Sequence, residues 1–217
     1  MSQIFKQKNI FFWLSALLFA SGGIYLFFYK KPELILFFNE NRSAVGDLFF
    51  RYVTKMGEGT VYVVSGLVFL AIRLRHALLV MLTAAVVAGL SFALKAAFAI
   101  DRPIAYFRKM GRLDEINFVD GVDQLSGATS FPSGHSMSAF AIYGLLVLLL
   151  PNKKRYAFPL LVTAALVALS RVYLVQHFFV DIYAGGFIGL SVAVVLYAID
   201  QRVRFREGHF MDRPLLK

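Results

Sequence analysis

Cysteine is absent from the 217 residues, which excludes a disulfide framework and any thiolate metal site. Charge is scarce as well: 17% of residues are Asp, Glu, Lys or Arg, against 59% hydrophobic and 16% aromatic, too little charge for an ordinary soluble domain of this length. Acidic groups are the rarer sign, 13 against 23 Lys and Arg, for a formal net charge of +10. Those cations are scattered among short loops and the tail instead of gathered in one stripe, so the excess does not point to nucleic acid. No internal repeat or low-complexity linker divides the chain, and residues 1–217 read as a single membrane-embedded domain.

Long apolar runs are what the sequence has in abundance. A bilayer-spanning helix needs roughly 20 mostly apolar residues, and runs at about 10–29, 56–74, 77–100, 135–150, 156–175 and 182–199 meet or approach that length. The expected fold is therefore all-α, a polytopic membrane bundle of six transmembrane helices. The second span is the shortest, since its apolar stretch covers only Thr60 to Ile72, and it needs Lys55 and Arg73 to carry their charges to the interfaces.

Alternating spans place the N-terminus, residues 73–76, residues 151–155 and the C-terminal tail on one side. That side holds Lys6, Lys8, Arg73, Arg75, Lys153, Lys154, Arg155, Arg202, Arg204, Arg206, Arg213 and Lys217 in short pieces. The positive-inside rule assigns it to the cytoplasm, in a bacterial inner membrane. A cleaved signal peptide is the other reading of residues 6–23, and it would leave the remaining topology unchanged. The segment from Pro32 to Met56 reads either as an amphipathic piece along the outer interface or as a packed loop with helical turns.

Ionisable residues within or beside spans are functional candidates by default. Counted from the cytoplasmic charge of each span, Lys95 lies 19 residues from His76, His135 lies 18 from Lys153, Arg171 lies 16 from Arg155 and Asp181 lies 19 from Asp200. At 1.5 Å per residue these are rises of about 24 to 28 Å, close to the hydrocarbon thickness. All four residues are thus expected near the outer boundary.

Three constellations stand there. Lys95 and Arg102, seven apart before Pro103, are expected on one helix face, with the proline ending the element; basic anchoring of a helix end is the plainer reading. Ser130-Phe131-Pro132-Ser133-Gly134-His135-Ser136 opens the fourth span, where a Ser-Gly turn offers backbone N–H groups and the positive dipole end to an anion. A capping turn beside a chance histidine is the alternative. In Ser170-Arg171 through His177 to Asp181, a His and an Asp four apart are expected to stack on a helix, the carboxylate accepting from one ring nitrogen and freeing the other. A structural hydrogen bond gives the same spacing. Three cations, two histidines and one carboxylate make a poor divalent-metal site and a good phosphate site.

In order, Lys95 to Pro103, Pro132 to His135 and Ser170 to Asp181 complete the pattern K-x6-RP, PSGH, SR-x5-H-x3-D. The chain thereby resembles the type 2 phosphatidic acid phosphatase family, in the superfamily that includes bacterial acid phosphatases and vanadium haloperoxidases. The resemblance implies His177 as a nucleophile forming a phosphohistidine, Asp181 as its orienting carboxylate, and His135 as proton donor to the leaving oxygen and then activator of water. It implies Lys95, Arg102, Ser133, Gly134 and Arg171 as the phosphate cradle, with no metal or other cofactor. The partner expected is a lipid phosphate in the bilayer: phosphatidic acid, phosphatidylglycerophosphate, undecaprenyl pyrophosphate or the 1-phosphate of lipid A. A vanadate-dependent haloperoxidase, a lipid-to-lipid phosphotransferase and an ion channel or transporter are the alternatives, and oligomeric state has no signature. Residues 104–130 are expected to shape head-group entry.

Overall fold

The computed structural model of the chain describes residues 10–28, 30–151, 153–203 and 210–213. Lys6, Lys8, Arg204, Arg206 and Lys217, on which part of the topology reading rests, lie outside them. The described residues form nine α-helices and no strand: α1 Ile10–Phe28, α2 Glu33–Glu40, α3 Ala44–Val53, α4 Gly59–Leu70, α5 Leu74–Phe98, α6 Pro103–Lys109, α7 Gly134–Leu149, α8 Lys153–Tyr173 and α9 Phe179–Arg202. A 3-10 turn over Thr54–Gly57 links α3 to α4.

Four of these, α1, α5, α8 and α9, are long and apolar enough to cross a membrane; α4 and α7 are shorter apolar helices of 12 and 16 residues. Their outward faces are apolar, with Trp13 71%, Phe27 89% and Phe92 79% exposed, a surface that hydrocarbon and not water would cover. Central α7 is enclosed by α4, α5, α8 and α9 and is buried nearly throughout its length.

The tightest packing is between α7 and α9, and glycine makes it possible. A Cβ on Gly189 would lie 2.0 Å from the Met137 carbonyl oxygen, and one on Gly185 would lie 2.5 Å from that of Ser133. Small residues let backbones approach where no hydrophobic force distinguishes helix from lipid. Gly189→Ala should therefore push α9 off α7 and cost at least about 3 kcal/mol. A thermal midpoint in detergent equal to that of the parent would contradict this.

The helix ends carry information that spacing alone did not. Helix α5 stops at Phe98, because Ala99 takes the left-handed conformation (φ 46°) and its N–H bonds back to Lys95 O. Lys95 and Arg102 thus do not share a helix, contrary to expectation. Pro103 does not end an element; it occupies the first position of α6, where its missing N–H costs nothing. Similarly, α8 ends at Tyr173, with Val175 at φ 56°. Gln176 N–H donates to Arg171 O and Val175 N–H to Val172 O, a Schellman closure with valine where glycine is usual. Helix α9 then begins at Phe179, so His177 precedes the helix on which it was expected to lie.

Residues 33–57 form α2, α3 and the 3-10 turn, packed on α8 and on the segment after α6. Asn39 and Asn117 exchange hydrogen bonds of 2.8 and 3.0 Å, Arg42 pairs with Asp47 at 2.7 Å and also donates to Phe118 O, and Tyr173 donates to Asp47. The Arg42 hydrogen bond holds the Asp47 carboxyl below its usual range. The segment is packed with helical turns, and Val45, Leu48, Phe49 and Tyr52 form an exposed apolar row on α3.

At the other end of the bundle, Arg75 Nε donates to Asp200 Oδ1 at 2.7 Å, and Leu74 N–H donates to Arg213 O. The α4–α5 turn and the start of the C-terminal segment therefore share one end.

Candidate active site

Opposite the Arg75–Asp200 pair, four helix ends converge. Lys95 is in the last turn of α5, His135 is the second residue of α7, Arg171 is in the last turn of α8 and Asp181 is in the first turn of α9. Each sits where a helix terminus leaves backbone groups unpaired, and each pairing is specific.

Ser133 caps α7: its hydroxyl accepts from Ser136 N–H at 3.4 Å and from Ser136 Oγ at 3.0 Å, while its own N–H donates to Asp181 O. Beside it, Gly134 brings the turn close to Lys95, since a Cβ there would lie 3.6 Å from Lys95 Nζ. Among the described residues Lys95 forms no hydrogen bond or ion pair, yet it feels the charges of Arg102, Arg171 and Asp181. The Ser-Gly turn and the lysine therefore stand together, as the sequence suggested.

Neither arginine has all its donors engaged among the described residues. Arg102 donates from Nε to Thr129 Oγ1 at 2.9 Å, and from Nη1 to the carbonyl and side-chain oxygens of Gln176 at 3.3 and 3.4 Å. Arg171 donates from Nη1 to Thr54 Oγ1 at 2.7 Å, and its buried Nε has no partner among the described residues. A guanidinium has five N–H donors, so each arginine keeps donors in reserve. Buried donors without acceptors are costly, and an anion removes that cost.

His177 is buried between these groups, with Nδ1 3.5 Å from Asp181 Oδ2, while Nε2 makes no hydrogen bond among the described residues. Burial pushes its pKa down to about 4, with the Asp181 hydrogen bond pulling the other way, so the ring is a neutral imidazole at ordinary pH. Asp181 does two jobs. As the third residue of α9 it accepts the Phe178 N–H at 2.9 Å, half of a capping box, and it also faces the ring. That is why the four-residue spacing brings His177 and Asp181 together although only one is helical. His135 lies within electrostatic reach of His177, Arg171, Lys95 and Arg102.

All eight residues singled out in the sequence thus gather at one end of the bundle. Four more, Thr54, Thr129, Ser130 and Gln176, had no role assigned from the sequence, although Ser130 and Gln176 stand within two of the constellations. They hold the site residues by contacts across 27 to 117 positions, and no local pattern marks them. Among the described residues no three His, Cys, Asp or Glu side chains cluster as a metal site needs. What the geometry can do is enclose a tetrahedral anion with three cations and set a free imidazole nitrogen beside it.

Comparison with known proteins agrees with this chemistry. The chain is 37% identical over 87 residues to phosphatidylglycerophosphatase B of Bacillus subtilis (strain 168), covering 36% of this chain and 43% of that protein. It is 42% identical over 84 residues to lipid phosphate phosphatase 2 of Arabidopsis thaliana, covering 33% of this chain and 29% of that one. These matches span less than half the length of either relative.

Among solved structures, the first transmembrane PAP2 type phosphatidylglycerolphosphate phosphatase from Bacillus subtilis superposes with a TM-score of 0.66 at 26% identity, over 92% of this chain and 99% of that one. Aquifex aeolicus LpxE gives 0.65 at 26% identity, over 76% and 93%. The profile of the PAP2 superfamily matches residues 73–205, which contain α5 through α9 and every one of the eight converging residues, and the chain belongs to that superfamily.

Proposed function

We propose that the chain is a metal-independent lipid phosphate phosphatase that works through a phosphohistidine. The observation that carries the reading is the pairing of spare donors on Lys95, Arg102 and Arg171 with a buried imidazole whose Nδ1 side is occupied and whose Nε2 is free. Phosphoryl transfer concentrates charge on the non-bridging oxygens, so fixed cations are what it needs most. Ser133 and the Gly134 N–H complete the cradle.

In the first step His177 Nε2 attacks phosphorus, the bond from phosphorus to the lipid oxygen breaks, and His135 delivers a proton to that oxygen. The ring becomes cationic and Asp181 stabilises it. In the second, His135 takes a proton from water, the water oxygen attacks phosphorus, the P–N bond breaks and phosphate leaves. Transfer to another lipid instead of water would use the same steps with a different acceptor.

Six crossings are proposed, with α4 and α7 as the short ones, and with the Arg75–Asp200 end cytoplasmic and the site at the outer, periplasmic face. The short central α7 supports this, because its polar N-terminal turn is covered by the 3-10 turn Thr54–Gly57 and need not reach lipid. By its likeness to the Bacillus subtilis enzyme, phosphatidylglycerophosphate is the first substrate to test. Phosphatidic acid, undecaprenyl pyrophosphate and lipid A 1-phosphate follow.

The test is phosphate release by the detergent-solubilised protein from these four lipids, with and without excess EDTA. Release from at least one lipid, undiminished by EDTA, is expected. No release from any, or loss with EDTA and recovery with a divalent metal, would overturn the reading.

A further inference from the structure

We infer that Ser130 is a positioning residue for the nucleophile, its hydroxyl bridging the carboxylate of Asp181 and the Nδ1 side of His177. The inference rests on the reading of His177 as nucleophile and extends it to a residue outside the three-part pattern. Ser130 lies two positions before Pro132 and is fully buried. Its Oγ donates to Asp181 Oδ2 at 2.5 Å and lies 3.5 Å from His177 Nδ1.

The hydrogen-bond inventory makes this arrangement directional. A serine hydroxyl has one proton and two lone pairs. With its proton committed to Asp181, the oxygen can only accept from the imidazole. Asp181 Oδ2, already receiving the Ser130 hydroxyl and the Phe178 N–H, can also only accept. Both neighbours of Nδ1 therefore demand a proton there, and the ring is fixed as the tautomer whose lone pair is on Nε2. During attack Nδ1 keeps that proton, the new bond forms at Nε2, and the positive ring faces two acceptors.

Ser130 also joins segments that are distant in sequence. Its N–H donates to Ile100 O at 2.9 Å, while Arg102 N–H donates to Gly127 O at 2.8 Å, a two-rung ladder between the segment leaving α5 and the one entering α7. The strand-like stretch that carries Arg102 is thus attached to the residue that holds Asp181. A single side chain and its backbone tie the phosphate clamp to the nucleophile, so displacement of one moves the other.

The charged groups facing His177 are Asp181 from α9, Arg171 from α8, Arg102 from the ladder and His135 from α7. Loss of the Ser130 hydroxyl removes a close donor to the Asp181 carboxylate, at 2.5 Å, and only a long acceptor contact to Nδ1, at 3.5 Å, so the larger effect is that the carboxylate interacts more strongly with the Nδ1 proton. That favours the cationic, non-nucleophilic ring, so the acid limb of the pH profile moves to higher pH.

The experiment measures kcat and KM against pH for wild type, Ser130→Ala and Ser130→Cys in detergent, on whichever lipid phosphate the wild type hydrolyses, with thermal midpoints alongside. Ser130→Ala is expected to lower kcat about 10- to 100-fold, the range for partners that orient a reacting group, with KM within about twofold and the acid limb raised. Ser130→Cys, similar in size with a weaker donor, should fall between alanine and wild type, and it provides the reading by the same criteria if the alanine variant fails to fold. A kcat within about twofold of wild type with a superimposable pH profile, or a loss confined to KM, would overturn the inference. Wild type inactive on every lipid would overturn the functional reading instead.

Discussion

Replacing His177 with alanine is expected to abolish phosphate release, by about four orders of magnitude or more, as for nucleophiles that act as a unit with their base. The fold should persist. Asp181 keeps two hydrogen bonds in the variant, from Ser130 Oγ and from Phe178 N–H, so no buried carboxylate is stranded. The helix ends on either side are also closed without the ring, by the Schellman turn after α8 and the cap of α9. The direct check is chemical: wild type quenched during turnover should carry a phosphoryl group that survives alkali and is released by acid, as a phosphoramidate is, and His177→Ala should carry none. Residual turnover above about 1% in a folded variant would remove His177 from the role of nucleophile.

The second large effect is expected at His135. General acid catalysis contributes about 10²- to 10⁴-fold, so His135→Ala should lose that much on a lipid phosphate whose alkoxide leaves poorly. An activated aryl phosphate needs no proton on its leaving oxygen, and the first step should then be nearly normal. The second step should not be, because water still lacks its base. The variant should therefore release a burst of aryl alcohol, about one per active site, and then stall as phosphoenzyme. Equal losses for good and poor leaving groups, with no burst, would show that His135 is not the proton carrier. Because His135 sits in the first turn of α7 and Gly57 closes directly on its backbone, with a Cβ there lying 3.1 Å from His135 O, a change that moved the 3-10 turn would mimic the loss. Comparison of thermal midpoints separates the two.

Much of this site is legible without coordinates, and the reason is local. Helix rise alone puts Lys95, His135, Arg171 and Asp181 near one boundary, and a four-residue offset brings His177 to Asp181 whether or not both are helical. Where local reasoning failed, the cause was a backbone conformation that the side chain does not announce. Ala99 and Val175 both turn left-handed, and valine is among the last residues expected to do so, so α5 and α8 end two residues before the apolar runs do. The beginning of α9 was drawn three residues late, at Ile182, because Asp181 was read only as a partner of histidine and not also as a cap.

By itself the sequence determined the membrane class, the helical fold and the phosphatase family, and it singled out eight residues that the fold brings to one end of the bundle. Those follow from residue identity, from apolar run length and from offsets shorter than a dozen residues. Tertiary structure alone decided which neutral groups hold the charged ones: Thr54 on Arg171, Thr129 and Gln176 on Arg102, Ser130 on Asp181. The Ser130–Asp181 contact depends on Gly185 and Gly189, which let the start of α9 settle against the start of α7. A one-dimensional period records distances along a helix, and it has no term for the approach of one helix to another.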